Sequence, residues 1–173
     1  MGLQSALGLE QVEPNAVQRS MQRLGGTQAG TAVFSRIIGP TDRALLRFTN
    51  GRITAGELFA ALPVVLVMTT GARTGKQRTT PLNAIPVGED LALIGTNFGS
   101  GTTPGWAHNL LAHPEAAVTY NNRVCEVTAH RAEGDEYEEA FAAAIRIYPG
   151  YADYRKRATN EVPVFVLTTK GLS

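Results

Sequence analysis

Hydrophobic positions change their period near Pro63. Before it, apolar and polar residues mix at helical spacing; after it come short apolar or alternating runs bounded by glycine, proline and asparagine. The spacing predicts helices over about 15–24, 30–38 and 41–50, the last opening at Thr41 and closing at Gly51. Thr54 to Glu57 (TAGE) has the form of a capping box, in which the threonine and the glutamate each satisfy a free N–H of the first turn. A further short helix is therefore expected to end before Pro63. Residues 1–13 show little periodicity and are expected to fray.

Beyond Pro63, VVLVMTT reads as a buried strand, and TTPLNAIPV and DLALIGTN as two more, joined at Gly88-Glu89-Asp90. TPGWAHNLLAHP reads as a helix with Thr103 as its N-cap, Pro104 in its first turn and Pro114 beyond its end. AAVTY and RVCEVTAH flank Asn121-Asn122, a two-residue hairpin turn, since asparagine tolerates positive φ. Tyr137, Ala140, Phe141, Ala144, Ile145 and Tyr148 recur at helical spacing and predict an amphipathic helix over 135–148, with acids at the end where the helix dipole favours them. A short helical piece near 151–159 precedes the last strand, VPVFVLTT.

Strands and helices do not alternate regularly, which argues against a doubly wound parallel sheet. The hairpin links predict an α+β fold, with about six mainly antiparallel strands curling into a small barrel that leaves no exposed edge. Residues 1–62 are expected to form a helical extension and 63–173 the barrel domain, within one globular unit of 173 residues.

Composition adds limits rather than a partner. The chain is 43% hydrophobic and 18% charged, with a formal net charge of +1. Cys125, the only cysteine, cannot form an internal disulfide, so an intracellular place is expected, and its alternation with Val127 and Ala129 puts it on the core face of a strand. The longest apolar run, LFAALPVVLVM, is too short to span a bilayer, and the N-terminus lacks the apolar stretch of a signal peptide. Those features point to the cytoplasm. Six arginines between Pro14 and Gly56 face a single acid, Asp42. They suit a basic helical face, either solvated, the favoured reading, or laid peripherally on an anionic membrane surface. Without interleaved stacking aromatics they do not suggest nucleic acid.

Local chemistry is sharper at TTGARTGKQRTTPL, Thr69 to Leu82, where Arg73, Lys76 and Arg78 lie on a loop between two strands with no acid among them. A triphosphate-binding P-loop is excluded: three residues rather than four separate Gly71 from Gly75, Gln77 stands where Ser or Thr is needed, and a strand follows instead of a helix. What remains is a glycine-bearing loop with three cations, either solvated or an anion site in which arginine donates charge-assisted bonds to phosphate or carboxylate and glycine lets the backbone approach. GTNFGSGTTPGW, rich in glycine and threonine, leads into a helix start whose free N–H groups suit a negative group and favours a shared anion pocket. Tyr148, Tyr151 and Tyr154 sit three residues apart and would face one way. Tyr148 continues the apolar face of the preceding helix, while Tyr151, beyond Pro149-Gly150, is better placed to line a cleft. His108 and His113 share no helical face, and His130 is isolated, so no metal site is expected. Ser100 in FGSGT is not a nucleophile elbow.

Taken together, VVLVMTTGARTGKQRTTPLNAIPVGEDLALIGTNFGS, PGWAHNLLAHPEAAVTY and YPGYADYRKRATNEVPVFVL resemble the deazaflavin-dependent nitroreductases, the F420-dependent quinone reductases of actinobacteria, over roughly Pro63 to Leu167. The preceding PTDRALLRFTNGRITAGELFAALP resembles that family's N-terminal extension. The resemblance implies a split β-barrel like that of flavin mononucleotide (FMN)-binding oxidoreductases. It also implies coenzyme F420, a deazaflavin whose phosphate and oligoglutamate tail would need the cations Arg73, Lys76 and Arg78. On the same basis Ala72, Arg73, Thr74 and Arg78, Thr79, Thr80, Pro81, Leu82, Asn83 would hold the phosphate side and pass along the ring. Ile94, Gly95, Thr96 and Asn97 would line a second wall; Gly105, Trp106, Ala107, His108 and Asn109 would close the site at the helix start. Tyr151 would lie near the reacting ring, with Tyr148 and Tyr154 beside it on the acceptor side. Ala72 stands where relatives often carry a basic residue, and Asn97 where a lysine can occur, so charge near the coenzyme is lower here. The implied reaction is hydride transfer to an electron-poor acceptor (a quinone, nitroaromatic or activated enone), with Tyr151 orienting the acceptor or donating a proton and Thr96 a weaker candidate. An FMN-dependent reductase of the same fold, or a cofactor carrier without turnover, are the alternatives.

Overall fold

The computed structural model describes residues 2–9, 63–97 and 102–170. The helices expected over 15–24, 30–38, 41–50 and from Thr54 to Leu62 lie outside the described residues. Seven strands among the described residues form one antiparallel sheet in the order β2-β1-β5-β6-β7-β4-β3. They are β1 (Val64–Thr70), β2 (Gln77–Asn83), β3 (Ile85–Val87), β4 (Asp90–Ile94), β5 (Glu115–Tyr120), β6 (Arg123–Arg131) and β7 (Val164–Thr169). The described helices are α1 (Leu3–Leu7), α2 (Gly105–Ala112), α3 (Gly134–Ile147) and α4 (Gly150–Arg157).

The sheet curls because its two edges are consecutive pieces of one chain. β2 pairs with β1 at one edge and β3 with β4 at the other, and only Ala84 separates them. The single strand expected over 79–87 is thus bent at Ala84, whose N–H donates the last bond of the β1–β2 ladder to the Pro63 carbonyl (2.8 Å); Pro63 has no N–H to return. The expectation of a barrel without exposed edges is corrected here. Among the described residues β2 and β3 each have one strand partner, and residues 77–79 of β2 are exposed. Pro81 and Pro86 explain this, because a residue with no N–H is tolerated at an edge and not in a central strand.

Alternation along the strands divides the apolar residues into two cores. Val65, Val67, Leu91, Leu93, Val118, Val127, Phe165 and Leu167 fill the barrel together with Trp106, Ala107 and Leu110 of α2. Cys125 packs at the margin of this cluster. Ile85, Ala92, Ile94, Val164 and Val166 point outward and are covered by α3 and α4 through Ala140, Phe141, Ala144 and the three tyrosines. The Asn121-Asn122 turn has both residues at positive φ (46° and 62°), as a type I′ hairpin requires.

Three boundaries differ from expectation. β4 stops at Ile94 rather than Asn97, and β7 starts at Val164 rather than Val162. Gly95 donates to the Pro163 carbonyl at 2.8 Å, but Pro163 has no N–H to return, so the ladder ends there. The N-cap of α2 is Pro104, not Thr103; its extended backbone (ψ 152°) turns the chain into the helix without a side-chain cap.

Of the residues expected to fray, 2–9 instead form α1 and pack on the barrel, and the rest lie outside the described residues. Leu3 and Leu7, one helical turn apart, are buried in the barrel core. Gln4 donates from Nε2 to the carbonyls of Gly88 and Asp90, both at 2.9 Å. A left-handed Gly8 ends α1 beneath the Arg123 guanidinium.

Candidate functional site

β1, β6 and β4 run in one direction, each two antiparallel steps from the next. Their C-terminal ends therefore bring the β1–β2 loop and the segment Ile94 to Asn97 to one end of the barrel, and α2 also packs against β1 and β6.

The β1–β2 loop is a closed turn. Gly71 N–H donates to the Lys76 carbonyl (2.9 Å), Thr74 and Gly75 both donate to the Gly71 carbonyl (3.2 and 2.8 Å), and Lys76 donates to Thr74 Oγ1 (3.4 Å). Gly75 adopts φ 63°, and a Cβ at Gly71 would lie 2.7 Å from Thr74 Oγ1, so both glycines are required by the turn. The Ala72 N–H donates to Asn109 Oδ1 (3.0 Å). Most loop amides are therefore engaged internally, and backbone approach to an anion, expected from the glycines, is not what this loop offers. It offers side chains: Ala72 to Thr79 are exposed, and among the described residues Arg73, Lys76 and Arg78 take part in no ion pair.

β2 continues from this loop as an edge strand. Arg78, Thr80 and Leu82 pair with Thr69, Val67 and Val65 and share their inward face, whereas Thr79, Pro81 and Asn83 point the other way. At about 3.4 Å per residue, Arg78 and Asn83 lie roughly 17 Å apart along the strand. At the far end Asn83 Nδ2 donates to the Tyr151 hydroxyl (3.4 Å).

Tyr151 is buried rather than open to a cleft. Its ring meets Tyr148 edge-on at 5.7 Å between centroids and Tyr154 at 6.1 Å, and the Tyr148 and Tyr154 hydroxyls are 3.3 Å apart. Burial pushes the Tyr151 phenol up to about 12, against a smaller lowering by the Asn83 amide. Burial and the bond to Tyr154 push Tyr148 higher still.

The remaining sequence-derived residues fall around the same end. Ile94 and Gly95 are buried, Thr96 is half-buried, and Asn97, at φ 43°, donates from Nδ2 to Thr102 Oγ1 (2.8 Å). Gly105 and His108 are exposed at the start of α2, while Trp106 packs inward on Phe165 at 5.8 Å. Trp106 and Ala107 thus belong to the core. Among the described residues no group of His, Cys, Asp and Glu could hold a metal ion.

Thr69 had no place in the sequence reading. It is 1% exposed and accepts a bond from Asn109 Nδ2 (3.0 Å). Its only sequence signal is a polar residue at an inward position of an apolar strand.

A separate cleft of about 840 Å³ at the start of α3 contains none of these residues. Its arginines are already engaged: Arg131 with Glu161 (3.3 Å), and Arg155 with Glu138 (2.9 Å) while stacking over Tyr137 and Phe141. Arg73, Lys76 and Arg78, in no ion pair among the described residues, lie within six positions of one another at the β1–β2 loop, so that loop is the better candidate.

Comparison with known proteins identifies the family. The sequence profile of the F420H(2)-dependent quinone reductase family matches residues 41–169. An F420H(2)-dependent quinone reductase of Mycobacterium tuberculosis is 32% identical over 132 residues, covering 73% of this chain and 87% of the relative. A solved F420-H2 dependent reductase superposes with a TM-score of 0.57 at 34% identity, over 61% of this chain and 93% of its own. A protein solved as a domain-swapped dimer gives a TM-score of 0.59 at 30% identity, over 77% and 97%. No described helix is long and apolar enough to cross a membrane. With a curled antiparallel barrel, cations at its mouth unpaired among the described residues and this extent of similarity, the chain belongs to the F420H(2)-dependent quinone reductase family.

Proposed function

We propose that the protein is an oxidoreductase that uses reduced coenzyme F420 to reduce a small electron-poor acceptor, a quinone in the first place, and that the coenzyme lies along β2 between the basic loop and Tyr151. The observation that carries this reading is the cluster Arg73, Lys76 and Arg78, unpaired among the described residues at the head of an edge strand. An acidic coenzyme with a phosphate fits three exposed cations, since each charge-assisted bond is worth roughly 1.5–3 kcal/mol. When bound, the reduced deazaflavin supplies the hydride.

The chain's own residues then have separable tasks. Arg73, Lys76 and Arg78 hold the anionic side. β2 offers the ring an edge whose outward backbone groups have no strand partner among the described residues. The Tyr151 phenol, protonated at neutral pH as any tyrosine is and held further from ionisation by its burial, offers a hydrogen bond to the acceptor while Asn83 orients it. Tyr148 and Tyr154, buried against Tyr151, support that orientation. Thr96, half-buried beyond β4, is the weaker second donor.

The test is a fluorescence titration with coenzyme F420, with FMN in parallel, followed by quinone-dependent oxidation of the reduced coenzyme. Saturable binding of the deazaflavin, weakened on the order of a hundredfold or less in Arg78→Ala, is the expected result. Preference for FMN would keep the fold and overturn the cofactor; binding without turnover would leave a carrier.

A further inference from the structure

Among the described residues only two polar side chains outside the tyrosines are buried, Thr69 and Asn109, and they bond to each other. Chemistry fixes which way the Asn109 amide points. The Ala72 N–H can only donate, so the atom facing it at 3.0 Å is Oδ1, and Nδ2 faces Thr69 Oγ1 at 3.0 Å. The Thr69 hydroxyl, having accepted that bond, donates its own hydrogen to the Arg78 carbonyl at 3.5 Å.

One chain of three hydrogen bonds thus runs from Ala72, the neighbour of Arg73, through α2 and β1 to the backbone of Arg78. Apart from the β1–β2 ladder, no other hydrogen bond among the described residues ties loop 71–76 to the rest of the molecule. We infer that Asn109 and Thr69 form a latch that sets where Arg73 and Arg78 are presented to the bound anion, without either side chain touching it. Both functional groups of the Asn109 side chain face protein, so the residue acts as a positioning residue rather than a contact. The inference rests on the coenzyme reading above, and it gives a reason for an amide inside an otherwise apolar barrel end. A latch of this kind raises affinity by removing the ordering cost that a free loop would meet on binding.

The experiment compares Thr69→Val, Asn109→Leu, the double variant and Arg78→Ala. Coenzyme F420 affinity is read by fluorescence titration, coenzyme KM and kcat by steady-state assay, and loop order by amide hydrogen exchange over residues 70–78. Each latch variant is expected to weaken the coenzyme about tenfold, to raise its KM by more than it lowers kcat, and to speed exchange in the loop peptide. The double variant should be no weaker than the weaker single one, because both cut the same chain. If affinity stays within about twofold of the parent, whether or not exchange quickens, and Arg78→Ala still weakens binding, the pair does not set the presentation of the cations and the latch is refuted. Should Arg78→Ala leave affinity unchanged, the basic-loop reading falls, and the latch with it. Thr69→Val, nearly isosteric, carries the comparison alone if Asn109→Leu does not fold.

Discussion

The amide of Asn83, at the end of β2, meets the hydroxyl of Tyr151, in the first turn of α4, at 3.4 Å. This contact joins the open edge of the barrel to the helical layer and sets a polar group at the far end of the strand that begins beside the basic loop. Tyr151→Phe removes the hydroxyl and leaves the ring packed among Tyr148 and Tyr154. The expected cost in stability is about 1 kcal/mol, the scale of one neutral hydrogen bond. Quinone turnover at saturating reduced coenzyme is expected to fall by roughly a hundredfold if the hydroxyl acts as a general acid. Unchanged turnover with several acceptors would remove Tyr151 from the mechanism.

The same phenol sets a pH dependence. Its folded-state pKa, pushed to about 12 by burial, lies above the ordinary value of 10.0, so the folded state keeps a proton that the unfolded chain gives up first. The stabilisation is fully present below about pH 10 and is lost as pH rises through about 12; two pKa units correspond to about 3 kcal/mol. Tyr148 shifts in the same direction and steepens the loss. Melting temperatures of the parent and Tyr151→Phe, measured from about pH 8 to 11, should converge at the alkaline end. Parallel curves would mean that Tyr151 is not buried in solution.

Patterns confined to one element were legible in the sequence: the Asn121-Asn122 turn, the apolar stripe of α3 and the strands VVLVMTT and VPVFVLTT all announce themselves locally. What escaped depends on distant partners. A segment as short as α1 is not stable alone, and Leu3 and Leu7 gain their places from β4, β6 and β7. The open edges were present as Pro81 and Pro86, whose missing N–H groups outweigh the apolar pattern of the run that contains them. At the site, the three cations could be picked out by composition. That the loop amides bond within the turn and to Asn109 could not, because that depends on α2 standing beside β1.

Residues 2–9 should be part of the folding unit. Leu3 and Leu7 are 0% and 1% exposed, and truncating either to alanine is expected to cost about 2–5 kcal/mol, as for other buried leucines. Gln4→Ala should cost about 1–3 kcal/mol, because the carbonyls of Gly88 and Asp90 lose their donor, although solvent near Gly88 offsets part of this. Urea unfolding of the three variants measures these losses. A Leu3→Ala midpoint equal to the parent's would show that α1 does not occupy the barrel end in solution.

Because the loop's backbone donors are largely engaged, an anion there is held by exposed side chains, and exposed charges are screened by salt. At about 0.05 M ionic strength the Debye length is near 14 Å, and at about 0.5 M it is near 4 Å. Coenzyme affinity should therefore fall by roughly tenfold across that range. In Arg78→Ala the affinity should be lower at low salt and its slope against salt shallower, since one of three cations no longer contributes. Gly75→Ala separates geometry from charge. It keeps every cation but strains a residue at φ 63°, at a cost of about 1 kcal/mol, so affinity should drop while the salt slope stays that of the parent. Fluorescence titrations at four salt concentrations read both quantities. An Arg78→Ala slope equal to the parent's would place the anion elsewhere on the molecule.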